Sequence, residues 1–154
     1  GLVMRECVQV QVALAGDLID ALIAPRALCD AGRTVLIETS GAHDISKIDP
    51  RVHRIMDLKC PDSGECEANL WSNLKRLKPT DEIKFVVASR LDFDWAVETI
   101  RTQELDRRFE VILSPAFGLV EPLQLTNWLL DSGLQVRMQL QMHKYIWSPT
   151  TRGV

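Results

Sequence analysis

Carboxylate, hydroxyl and ammonium side chains gather at the ends of short apolar runs in this sequence. Val35-Leu36-Ile37 leads into Glu38-Thr39-Ser40-Gly41, and Ile55-Met56 leads into Asp57-Leu58-Lys59-Cys60-Pro61. Lys84 lies inside the run IKFVVA, and Ser114 closes VILS just before Pro115-Ala116-Phe117-Gly118. Gln139, Gln141, His143, Lys144 and Tyr145 follow the last apolar segment. Glu38, Thr39 and Ser40 offer hydrogen-bonding groups while Gly41 admits close approach of a ligand; a capped strand end with a turn accounts for them as well. Asp57 and Lys59, two residues apart, fall on one side of a strand. They either clamp a ligand such as an amino acid or pair with each other in solvent, the commoner outcome. Lysine is almost never buried unpaired, so Lys84 either faces a carboxylate or phosphate ligand or reaches water from a strand end. His143-Lys144-Tyr145 suits an anion, or else an exposed basic loop.

These groups need a scaffold. Strands of a parallel sheet are covered on both faces and read as apolar runs, and ligands of such sheets bind at the carboxyl ends. The chain has 154 residues, 46% hydrophobic and 25% charged, with a net charge of -3. That supports one domain with a sizeable core and gives no basic face for direct nucleic-acid binding. No apolar run approaches the roughly 20 residues that span a bilayer, and Glu6, Gln9 and Gln11 do not suit a signal peptide, so the cytoplasm is the expected location. The cysteines, Cys7, Cys29, Cys60 and Cys66, fit neither paired CxxC zinc spacing nor a disulfide framework and are expected to be reduced thiols. GxGxxG, GxxxxGK[ST], HExxH and GxSxG are all missing.

In chain order, Val8-Gln9-Val10-Gln11-Val12 alternates as a strand would. Asp17 to Asp30 has a helical apolar face that Pro25 would kink or break. Strands are expected at Thr34 to Glu38, Arg51 to Asp57, Ile83 to Ala88, Glu110 to Ser114 and Gln135 to Gln141. Asn69 to Leu77 suits a short helix; Asp92 suits the N-cap of a helix from Phe93 to Gln103. Pro122 fits the first turn of a helix from Glu121 to Asp131, which Gly133 ends. Trp71, Trp95 and Trp128 are expected on inner helix faces, and His143 to Val154 as a loop. Strand and helix alternate at the spacing of βαβ units, an α/β pattern suited to an open doubly wound sheet or part of a barrel.

IETSGAHD, MDLKCPDSGE, DEIKFVVASR, VILSPAFG and MQLQMHKYIW, in this order and spacing, resemble 7-carboxy-7-deazaguanine synthase, a radical S-adenosylmethionine enzyme of queuosine and 7-deazapurine biosynthesis, which feeds tRNA modification. The resemblance runs from about Asp30 to Val154. It implies an α/β fold, a partial (β/α) barrel of parallel strands alternating with helices. It also implies a 4Fe–4S cluster, S-adenosylmethionine, Mg²⁺, a flavodoxin or ferredoxin reductant and a homodimer. The reaction implied is a carbon–nitrogen lyase step taking 6-carboxy-5,6,7,8-tetrahydropterin to 7-carboxy-7-deazaguanine. By matching motif, Thr39, Ser40, Asp57, Leu58, Lys59, Ser114, Pro115, Ala116 and Phe117 are expected to contact S-adenosylmethionine. Lys84, His143, Lys144 and Tyr145 are expected near the pterin.

The sequence departs from that pattern in its first part. The CxxxCxxC motif for the cluster, the Gly-Gly-Glu-Pro loop and the threonine that serves Mg²⁺ do not occur, so no metal ligand is expected in this chain. Residues 1–18 read as an atypical leader. The chain alone is therefore expected to be catalytically incompetent, a C-terminal fragment or an α/β module that binds S-adenosylmethionine or a pterin without chemistry. Loss of the first strands is expected to leave an unpaired edge beside the Val35 strand, favouring oligomers or poor solubility.

Overall fold

A computed structural model describes residues 7–11 and 20–147 of the chain. Six parallel strands form one sheet in sequential order: β1 (Cys7–Gln11), β2 (Thr34–Ser40), β3 (His53–Leu58), β4 (Glu82–Val87), β5 (Glu110–Pro115) and β6 (Arg137–Met138). The connections carry α1 (Asp20–Asp30), α2 (Arg90–Thr102), α3 (Leu105–Arg108) and α4 (Pro122–Ser132), and α5 (His143–Ile146) follows β6. Consecutive order has no reversal point, so the winding is that of a barrel rather than of a doubly wound sheet. The sheet stays open: β1 and β6 are not paired with each other.

Burial alternates with period two along β2 and β4, while β3 and β5 are buried at most of their positions. Val35, Ile37, Met56, Leu58, Ile83, Phe85, Val87, Val111 and Leu113 join one core with Phe93, Ala96, Ile100 and Leu125 from the helices. The intervening residues, among them Leu36, Glu38, Ser40, Asp57, Lys84 and Val86, are only partly buried. Helices cover one face, and the other is polar and partly open. Along the strand starts of that face His53 Nε2 lies 3.1 Å from Glu82 Oε1, and Arg137 reaches Glu82 Oε2 at 2.6 Å and Glu110 Oε1 at 3.9 Å.

Several expectations are corrected here. The Val35 strand is not an edge, because residues 7–11 pair with it in parallel, Val8 opposite Val35 and Val10 opposite Ile37. Asp92 does not cap α2: Ser89 does, its Oγ accepting from Asp92 N–H at 3.2 Å, as in a capping box. Asp92 instead sits buried in the first turn and accepts from the N–H groups of Ala88 and Asp62, both at 2.9 Å. Asn69 to Leu77 contains only a 3₁₀ segment, Trp71–Lys75, because Asn73 is drawn inward to bond a neighbouring loop. Strand β6 is two residues long: beyond it the Ser114 hydroxyl donates to the Gln139 carbonyl at 2.6 Å. Trp71 is 43% exposed, against Trp95 at 6.4 Å between ring centroids, while Trp95 and Trp128 pack on the core. The expected C-terminal loop begins with the short helix α5. Helix α1 runs through Pro25; its expected start at Asp17 and the strand end at Val12 lie outside the described residues.

A buried ion pair ties the start of β3 to the loops around it. Arg54 is 5% exposed, donating to the carbonyls of Arg76 at 2.8 Å and Ile48 at 3.0 Å. Asp81, fully buried, stands 3.7 Å from the Arg54 guanidinium and accepts the Arg54 and Lys78 N–H groups, both at 3.0 Å. Removing one partner strands the other charge in the core, so Asp81→Ala is expected to cost about 3–5 kcal/mol in urea unfolding; a neutral effect would contradict this role. At the surface, hydrogen bonds from the Arg51 side chain, and next its backbone N–H, hold the Asp49 carboxyl well below the usual carboxylate range. A carboxyl depressed by folding adds stability above its unfolded pKa of about 3.9 and loses it as pH falls towards the folded value. The urea midpoint is therefore expected to drop on acidification into that window, and to drop less in Asp49→Asn.

Candidate ligand-binding face of the sheet

The open face carries its polar groups at the carboxyl ends of the middle strands. Register sets Ser40 beside Asp57 and Asp57 beside Lys84, one row across β2, β3 and β4. Lys59 continues the same side, with Nζ 2.6 Å from Asp57 Oδ2. Lys84 Nζ stands 3.9 Å from Glu38 Oε2, reaching across β3 to β2. Asp57 Oδ1 is buried and has no hydrogen-bond partner among the described residues, and so is Gln141 Oε1 beyond β6. Both are acceptors, and a buried acceptor without a donor costs about 1–3 kcal/mol. The face is thus suited to a ligand that brings N–H or O–H donors.

Backbone geometry closes in around Asp57. Gly41 N–H donates to the Asp57 carbonyl at 2.9 Å, and Leu70 N–H to the Gly41 carbonyl at 2.9 Å. Asn73 donates to the carbonyls of His43 at 2.7 Å and Gly41 at 3.3 Å and accepts from Ile45 N–H at 3.4 Å. Below this end, the loop that begins at Cys60 is pinned to α2 through the Asp62 N–H to Asp92 bond.

Not every sequence-derived candidate joins the row. Thr39 and Leu58 turn to the helical layer, 2% and 1% exposed, and the Thr39 hydroxyl bonds the Ser40 carbonyl. Pro115 is buried, and the Ala116 N–H donates to the Val87 carbonyl at 2.8 Å. Ser114 lies on the open face opposite Val86, fully buried, with its hydroxyl committed to Gln139. Phe117 and Tyr145 meet edge to face at 5.1 Å, which joins the loop after β5 to α5. Lys144 is partly buried and begins its turn with an N–H bond to the Gln141 carbonyl; the His143 side chain lies outside the described residues. The backbone-anchoring roles of Asn69, Asn73 and Asp92 escaped the sequence reading, which placed them in a short helix and at a cap. Nothing local separates a buried asparagine that bonds backbone from one in an exposed turn.

A cavity of about 620 Å³ lies away from this face, between α1 and the loop after β2, lined by Arg26, Asp30, Lys47 and Asp49 among others. Its ion pairs, Arg51 with Asp30 at 2.8 Å and with Asp49 at 2.7 Å, are self-contained.

No family model matches the chain. Among curated proteins, the 7-carboxy-7-deazaguanine synthase of Chlorobaculum tepidum is 46% identical over 131 residues, covering 83% of this chain and 60% of that protein. The synthase of Koribacter versatilis is 43% identical over 140 residues, covering 82% of this chain and 62% of its own length. The chain is similar to the 7-carboxy-7-deazaguanine synthases. The synthase of Methanospirillum hungatei extends the likeness at 37% identity over 125 residues, with 80% and 51% covered. The chain therefore spans between 51% and 62% of the length of these three synthases, and the family resemblance expected from its motifs is borne out.

Among the described residues, none fits the 4Fe–4S cluster or the Mg²⁺ that a resemblance to these synthases implies. Cluster ligands are thiolates. Cys60 is 1% exposed, and burial, followed by the Asp92 and Asp57 carboxylates, pushes its thiol well above the ordinary range. Burial also raises the Cys29 and Cys66 thiols. Among the described residues no three histidine, cysteine or carboxylate side chains are grouped to hold a metal ion. The acceptor left without a donor at Asp57 suits a ligand that brings N–H or O–H groups, as S-adenosylmethionine would.

Gly41 has no room for a side chain: a Cβ there would meet the Asp57 carbonyl oxygen at 3.0 Å, and Asn69 Oδ1 and Leu58 Cδ2 at 3.2 Å. Gly41→Ala is expected to cost about 1–3 kcal/mol and to speed hydrogen exchange at Gly41 and Leu70. An unchanged urea midpoint would show that the two strand ends are not packed this closely.

Proposed function

We propose that this chain supplies the face on which a 7-carboxy-7-deazaguanine synthase binds S-adenosylmethionine and its pterin substrate. The observation that carries the reading is the unpartnered Asp57 Oδ1 among Ser40, Lys59 and Lys84, in motifs that match the synthases. Asp57 accepts a donor of the bound molecule, and the Lys59 ammonium, 2.6 Å from its other oxygen, fixes that carboxylate in place. Lys84, with Glu38 beside it, is placed to take a carboxylate such as that of a 6-carboxypterin. Ser114 holds the Gln139 carbonyl and with it the approach to Gln141, Lys144 and Tyr145, the wall assigned to the pterin. Thr39, Leu58 and Pro115 support this wall from the helical side; Ala116 and Phe117 line its rim.

S-adenosylmethionine, when bound, supplies the sulfonium whose reductive cleavage starts the lyase chemistry implied for the family. The described thiols, Cys29, Cys60 and Cys66, do not fit the cluster that delivers the electron, so binding and orientation are the roles assigned to the described residues, and the chain alone is assigned no turnover. The homodimer, the flavodoxin or ferredoxin reductant and a cytoplasmic setting belong to the same proposal; no helix among the described residues is long and apolar enough to cross a membrane. A non-catalytic module that binds S-adenosylmethionine or a pterin predicts the same contacts.

Anaerobic reconstitution with iron and sulfide separates binding from chemistry. The chain is expected to retain no cluster, yet to bind S-adenosylmethionine in a calorimeter with an affinity that falls about tenfold or more in Asp57→Asn, the loss of one charged hydrogen bond. A reduced-cluster paramagnetic signal that shifts with S-adenosylmethionine would overturn the binding-only assignment. Equal affinity in Asp57→Asn would remove Asp57 from the site.

A further inference from the structure

Strand β3 ends at Leu58, so the next residue, Lys59, lies beyond the strand pairing. A single side chain meets its backbone instead. Asn69 Oδ1 accepts the Lys59 N–H at 2.9 Å, and Asn69 Nδ2 donates to the Lys59 carbonyl at 2.9 Å. Asn69 is 6% exposed. A primary amide has both an acceptor and donors, so it can serve both backbone groups of one residue much as a neighbouring strand does. This holds Lys59 extended. An extended residue two places after Asp57 must turn to the same face, and there its ammonium lies 2.6 Å from Asp57 Oδ2.

The turn that carries Asn69 also fixes the neighbouring strand end, through Leu70 N–H to the Gly41 carbonyl and Gly41 N–H to the Asp57 carbonyl, both 2.9 Å. Asn73 is as deeply buried as Asn69, but among the described residues its amide serves Gly41, His43 and Ile45. One asparagine of the segment therefore addresses Lys59, and the other stabilises the loop after β2.

We infer that Asn69 is a positioning residue: its amide sets the Lys59 backbone so that the ammonium covers one oxygen of Asp57 and leaves the other for a ligand, a role that rests on the reading of this face as the binding site. Without Asn69 the Lys59 backbone is released, and the ammonium leaves the carboxylate for solvent.

Trace acetylation of the whole chain followed by mass spectrometry reads how freely each lysine reacts. Asn69→Ala is expected to raise Lys59 labelling severalfold, to the level seen in Asp57→Asn, where the pair itself is broken. Asn73→Ala, which removes a comparably buried amide, is expected to leave Lys59 unchanged. Unaltered Lys59 labelling in folded Asn69→Ala overturns the inference, and so does an equal rise in Asn73→Ala, which would indicate general loosening. Should Asn69→Ala fail to fold, Asn69→Ser gives the same comparison, since its hydroxyl cannot span both Lys59 backbone groups. S-adenosylmethionine titrated into the wild-type chain keeps the two readings apart. Binding with unaltered labelling defeats the positioning role alone, and altered labelling without binding defeats the ligand assignment alone.

Discussion

A parallel strand turns every second side chain to the same face, and register carries that choice across the sheet. Everything proposed for this protein depends on that constraint acting on a sheet with helices on one side. The dry face buries Val35, Ile37, Met56, Ile83, Phe85 and Leu113 under the helices that connect the strands. The same pleat then delivers Ser40, Asp57 and Lys84 in one row to the opposite face. Hydrophobic burial on the first face stabilises the strands, and the polar row is carried on them at no cost in ladder hydrogen bonds.

Charge on the open face is arranged at two heights. Where the strands begin, His53, Glu82, Glu110 and Arg137 satisfy one another across β3 to β6. That network holds the two-residue β6 to the sheet, where ladder hydrogen bonds are few. Where the strands end, Lys59 satisfies only half of Asp57, and two acceptors stay open. Satisfied charge at one end and unsatisfied acceptors at the other distinguish a structural network from a site, since buried acceptors are ordinarily paired.

Much of this was legible in the sequence. Runs such as IKFVVA and EVILS identify β4 and β5 because strands covered by helices are apolar, and Val8-Gln9-Val10-Gln11 betrayed β1 by alternation. Asp57 and Lys59 could be placed on one side from their spacing alone. The rest was hidden for physical reasons. Contiguous motif residues such as Ser40 and Thr39, or Asp57 and Leu58, must face opposite ways, so a motif match overstates how many of them reach one ligand. Asp92 looks like a cap because aspartate is a good one, yet Ser89 holds the position and Asp92 anchors the Cys60 loop. Gln135 to Gln141 alternates like a strand, but Ser114 captures the Gln139 carbonyl and cuts the ladder short. Asn69 and Asn73 act through backbone atoms far along the chain, which no local pattern records.

The similarity to 7-carboxy-7-deazaguanine synthases and the polar row on the sheet support the central proposal, a ligand at the carboxyl ends of β2, β3 and β4. Amide shifts in a ¹H–¹⁵N spectrum during titration with S-adenosylmethionine test it most directly. The account predicts the largest shifts at Ser40, Gly41, Asp57, Leu58, Lys59 and Lys84. Shifts confined to Arg26, Ser46 and Lys47 around the cavity beside α1, or no shifts at all, would contradict it.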